Sequence, residues 1–177
     1  GTLDSSGTNY GQRFGFGDAT AEDAQSTADS PLDMCKFFFN QTSNSWKGVA
    51  GTVDMINISG SEKIWTWNMV CDDTTGDDTD EHPFSSRGAG KYDVTSGQVD
   101  IISVFHQNTS RTLDTGSEVI VLGWDPADTH ATNFWEELAS IEVTSDSTSR
   151  LLMDSGTLTP KKYYWIEYFA KQGTTNA

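Results

Sequence analysis

Acidic side chains are the first residues whose types and spacing could do chemistry. Asp72, Asp73, Asp77, Asp78, Asp80 and Glu81 crowd one stretch, and Asp125 and Asp128 flank Pro126-Ala127. Both groups supply hard oxygen ligands of the kind that calcium takes, about six to eight at a time from carboxylates, carbonyls and water. Neither follows the EF-hand spacing, and for residues 72–81 a solvated acidic loop is the plainer reading. Catalytic sets find less support. His82, His106 and His130 stand apart, with no H-E-x-x-H and no G-x-S-x-G to anchor a triad. Glu136 and Glu137 are adjacent, and sequence cannot set them across a cleft as paired glycosidic carboxylates must be. The expectation is therefore a protein that is not an enzyme. Aromatic residues make up 11% of the chain and offer a binding chemistry instead. Trp65 and Trp67 share one parity, as do Tyr163 and Trp165, and exposed rings on a β-sandwich can stack on sugars. A glycan or receptor contact at Trp65 and Trp67, with Asp77 and Asp78 in the following loop, is one candidate. Aromatics at period two equally serve a core or a subunit interface.

The elements that must position these residues read as strands. Apolar or alternating runs at 34–40, 46–58, 62–71, 98–107, 118–124, 141–144, 150–153 and 161–170 are of strand length and bounded by polar or glycine-containing turns. In 62–71 the alternation puts Trp65, Trp67, Met69 and Cys71 on one face, and Gly60 suits a hairpin with the preceding strand. One helix is expected over 129–140, capped by Asn133 with Glu136 three residues on, its apolar stripe formed by Phe134 and Leu138. Residues 72–90 read as a loop, with a brief pairing at 92–95. Residues 1–33 read as an extended arm or lead-in, 34–170 as a single domain and 171–177 as a flexible tail. The fold class expected is all-β: an antiparallel β-sandwich, an eight-stranded jelly roll with one short helix. An immunoglobulin-like sandwich has the same signature.

The stretch 117–144 (SEVIVLGWDPADTHATNFWEELASIEVT) runs from a strand into an aspartate-rich D-P-A-D turn, then Thr, a short helix and a return strand. This pattern resembles part of the jelly-roll coat proteins of small icosahedral positive-strand RNA viruses, of tombusvirus-like and nodavirus-like type. The match covers about a sixth of the chain. The resemblance implies a shell or projecting domain of a capsid, located in the virion, that self-associates as dimers, trimers or particles. It also implies Ca2+ at subunit contacts near Asp125 and Asp128, and attachment to a host receptor if the domain projects.

Charge narrows the choice. Eleven basic residues against 26 acidic give −15, which argues against contact with nucleic acid by this segment, since phosphates need Lys and Arg. Within a capsid it favours a projecting domain, or a shell domain without its basic arm. No run approaches the roughly 18 apolar residues of a membrane span. The chain opens Gly1-Thr2 with neither an initiator Met nor a signal-peptide pattern, so its natural start is left open. Cys35 and Cys71 are expected as buried thiols, with a disulfide the alternative. Sequons stand at Asn40, Asn57 and Asn108, but Asn57 lies in a strand pattern, where a glycan fits poorly. Two other functions remain open: a carbohydrate-binding module or lectin, and a capsid protein of a halophilic virus, which the acidic surface would suit.

Overall fold

A computed structural model describes residues 10–17, 22–28, 48–71, 84–105, 113–128, 135–145 and 152–171. The strands within them are β1 (Tyr10–Gly17), β2 (Glu22–Ala28), β3 (Val49–Ile56), β4 (Lys63–Cys71), β5 (Phe84–Tyr92), β6 (Ser103–Phe105), β7 (Glu118–Trp124), β8 (Glu136–Glu142), β9 (Leu152–Asp154) and β10 (Tyr163–Ala170). One large sheet runs β2-β1-β5-β4-β3-β10-β7-β8, and β6 pairs with β9 in a second, small sheet. Every neighbouring pair is antiparallel. The chain is thus all-β, an antiparallel fold of β-sandwich type. The four-and-four division of a jelly roll is not found, since eight strands share one sheet and two the other among the described residues.

Strand alternation builds the core. In β4, Lys63, Trp65, Trp67 and Met69 are buried while Ile64, Thr66, Asn68 and Val70 are exposed. In β10, Tyr164, Ile166, Tyr168 and Ala170 are buried, and in β7 Val119 and Val121 join them. These inner-face residues form one cluster with Leu113, Val143, Met153 and Leu158. Each fully buried large apolar side chain contributes about 1.5–3 kcal/mol relative to exposure. Extended backbone prolongs the small sheet, with Ser155 N–H donating to Ile102 C=O (3.0 Å) and Leu158 N–H to Asp100 C=O (2.7 Å).

A polar anchor ties that cover to the large sheet. The fully buried Asn57 amide donates to the carbonyls of Val99 (2.9 Å) and Lys161 (3.0 Å) and accepts from Val99 N–H (2.7 Å). Tyr164 Oη donates to the same Val99 carbonyl (2.8 Å) and accepts from Lys161 N–H (3.2 Å). Burial pushes the Tyr164 phenol up. A glycan on Asn57 is excluded by this burial.

Four expectations are corrected. The helix expected over 129–140 is not formed in its described part: residues 136–142 are strand β8, paired with β7 across a bulge at Val121/Leu122. Residues 129–134, Asn133 and Phe134 among them, lie outside the described residues. Glu, Leu and Ala are good helix formers, but propensity is worth less than tertiary packing, and partial burial of Leu138, Ala139 and Ile141 against the core decides otherwise. The loop over 72–90 ends early, because 84–92 is strand β5 in the middle of the sheet. The lead-in 1–33 contributes β1 and β2, which extend the sheet beyond β5. The expected strand 98–107 narrows to β6, its earlier half held as extended cover. The expected strand 34–40 and Cys35 fall outside the described residues. The hairpin is as expected: β3 and β4 pair in full register, and Gly60 takes φ +82° in the turn, a conformation that glycine adopts without penalty.

Candidate functional site

Burying one face of the large sheet leaves its other face to solvent, and that outer face gathers the residues able to bind something. Its register can be read across β4, β3, β10 and β7. Val70, Ala50, Phe169 and Glu118 form one row, and Asn68, Thr52, Glu167 and Ile120 the next. Thr66, Asp54, Trp165 and Leu122 follow, then Ile64, Ile56, Tyr163 and Trp124.

The two ends of this face differ. At one end Ile56 and Ile64 are 43% and 49% exposed. Beside them Trp124 stacks on Tyr163, ring centroids 4.9 Å apart at 25°, and Trp135 meets Trp165 edge-on at 6.4 Å and 68°. This is an apolar, aromatic end of partly exposed rings, and offset or edge-on ring pairs of this kind add to area burial. At the other end an open groove of about 450 Å³ lies over β3. It forms because β3 carries the small Ala50 and Thr52 between larger residues on β4 (Asn68, Val70) and β10 (Glu167, Phe169). Glu118, Ile120 and Ser85 also line it. Val70 and Phe169, at 47% and 45% exposure, stand on opposite sides of it.

Trp65 and Trp67, candidates for stacking on a glycan, are in the core at 3% exposure each. Neither can meet a ring in solution; the Trp67 indole N–H donates instead to Ser86 Oγ (3.3 Å). The aromatics able to do so are those of the opposite parity, Tyr163 and Trp165, together with Trp124, Trp135 and Phe169. Asp72, Asp73, Asp77 and Asp78 lie outside the described residues.

Asp125 and Asp128 are brought together in a tight turn after β7. Asp125 carboxylate accepts from Ala127 N–H (2.9 Å), and Asp128 carboxylate accepts from Asp125 N–H (3.1 Å). Each is also paired with a lysine: Lys162 lies 3.1 Å from Asp125, and Lys161 lies 2.9 Å from Asp128 and 2.7 Å from Glu136. The Ala127 amide, then Lys162, hold the Asp125 carboxyl below its ordinary range, and Glu136, then Asp128, raise the nearly buried Lys161. A calcium ion would have to displace both ammonium groups. Among the described residues no three His, Cys, Asp or Glu side chains are grouped as a metal site requires, and no helix is long and apolar enough to cross a membrane.

Sequence reasoning overlooked the groove, because it arises from small residues on β3 seen only once β4 and β10 are paired beside it. The signal for the aromatic end was present in the parity of Tyr163 and Trp165. Compared with known proteins, the chain matches no protein-family model, no curated protein and no solved structure.

Proposed function

We propose that this protein is a non-enzymatic structural domain that works by associating with copies of itself, as a coat-protein domain of a virus particle does. The observation that carries the reading is the aromatic end of the outer sheet face, where Ile56 and Ile64 stand about half exposed beside two aromatic pairs. A contiguous apolar patch of this kind is the usual mark of an interaction surface. A second copy is the occupant that fits. A two-fold contact sets the same patch against itself, and aromatic rings with aliphatic neighbours suit the dry centre of such a contact. Asp54, Lys91 and Glu62 then fall at its rim, where charges can stay hydrated; Lys91 is already paired with Asp93 (2.8 Å) and Glu62 (3.4 Å). Within a particle, the loops at the ends of the sheet would face outward for attachment to a host.

Light scattering coupled to size exclusion, across protein concentration, tests this. The expected result is a discrete oligomer that Ile64→Glu and Ile56→Glu each convert to monomer without loss of fold. A monomer at every concentration overturns the reading. A calcium arm and a chelator arm in the same experiment address the metal: oligomers loosened by chelator would place an ion at the contact in spite of the lysines at Asp125 and Asp128.

A further inference from the structure

The groove over β3 has a chemistry unlike that of the aromatic end, and association does not use it. On β3 the groove reaches Thr52 and the exposed Ile56 lies four residues further on, so the two are separated by about 13 Å of strand. We propose that the groove binds an uncharged oligosaccharide.

Three observations support this ligand. The Phe169 ring, 45% exposed, offers a flat apolar surface at the groove wall. Next to it on the same face of β10, the Glu167 carboxylate is exposed, and Glu118 stands across from Phe169 on β7. The floor and far wall add the Thr52 hydroxyl, the Asn68 amide and the Ser85 hydroxyl. A sugar ring has just these two aspects, C–H bonds on a face that stacks on an aromatic ring and hydroxyls around the edge that donate to carboxylates and exchange bonds with amides. Few polar groups set around an apolar surface are the common form of a small-molecule site, and about 450 Å³ falls within its usual size.

Alternatives fit less well. A purely apolar ligand would cover Glu118 and Glu167 and leave them without water. An anionic glycan would meet those carboxylates on a chain of net charge −15. A cationic peptide would satisfy the two carboxylates but has no use for Thr52, Asn68 and Ser85 together.

Titration calorimetry with cello-, laminari-, manno- and fully N-acetylated chito-oligosaccharides, beside an alginate oligosaccharide and oligolysine, tests the proposal. The expected result is heat with at least one neutral sugar and none with alginate. Phe169→Ala and Glu167→Gln, both at exposed positions, should each weaken that binding about tenfold, the loss of one stacking contact or one charge-assisted hydrogen bond. Ile64→Glu, which removes the association surface, should leave sugar affinity unchanged, so the two readings fail separately. Absence of heat with all four neutral sugars, heat with oligolysine alone, or sugar binding that neither groove variant weakens would each overturn it.

Discussion

At the scale of single residues, the close approach of Trp65 to Gly90 is the sharpest constraint. The two are register partners on β4 and β5, as are Trp67 and Gly88. A methyl group placed on Gly90 would lie 2.3 Å from the Trp65 indole nitrogen. That atom is buried with no hydrogen-bond partner, and the ring has nowhere to withdraw because it fills the core. Gly90→Ala should therefore destabilise the fold by about 1–3 kcal/mol, the usual cost of overpacking, measured by urea denaturation. The same pairing explains why β5 is hard to see in the sequence. Phe84–Tyr92 (FSSRGAGKY) has too few β-branched residues to signal a strand, since its glycines make room for the tryptophans that β4 shows plainly. Asn57 is the other residue with a large predicted effect. Asn57→Ala would strand the Val99 amide and its partner carbonyls, each costing about 1–3 kcal/mol, and should lower the melting temperature more than any exposed substitution on β3.

At the scale of elements, the turn after β7 is a clasp that charge holds on both sides. Asp125 has a folded-state pKa below its ordinary 3.8, so its contribution to stability is complete above that value and disappears as pH falls through the lower, folded value. Lys161 has a folded-state pKa above its ordinary 10.5, so its contribution is complete below that value and disappears as pH rises through the higher one. The stability difference between the wild type and Asp125→Asn should be flat from neutral pH down to about pH 4 and shrink below it. For Lys161→Met the difference should be flat up to about pH 10 and shrink beyond. Denaturant titrations at a series of pH values check both. Lys63 behaves in the opposite sense. Among the described residues its buried ammonium donates to the backbone carbonyls of Ser61 (2.8 Å), Val94 (3.1 Å) and Thr95 (3.5 Å), and burial lowers its pKa.

The elements also show what was legible. Strands β3, β4 and β10 were visible because alternation in each reflects one buried face, and β7 because it is a short apolar run rich in β-branched residues. The helix expected near Glu136 failed because local preference among Glu, Leu and Ala is weak beside the pull of a core that needs Leu138 and Ile141. The aspartates of the turn were found, but their lysine partners were not, because Lys161 and Lys162 arrive from 33 and 37 positions further along the chain.

At the scale of the whole molecule, charge and apolar surface oppose each other. Copies that carry −15 repel at long range, whereas the aromatic end attracts only on contact. Raising ionic strength shortens the reach of the repulsion, to about 8 Å at physiological salt and 3 Å at 1 M. Association should therefore tighten with added sodium chloride, read as a rise in weight-average mass by light scattering. Weakening with salt would instead mean that ion pairs hold the copies together.

The open sheet has one further consequence. Strand β8 has a sheet neighbour on one side only among the described residues, so its far side is a row of backbone donors and acceptors ready to template another strand. Its sequence, EELASIE, sets three glutamates along that margin. They act as gatekeepers, since a second copy of β8 laid alongside in register would align like charges at the spacing of a fibril. Replacing Glu137 and Glu142 with valine should make the protein form thioflavin-positive fibres.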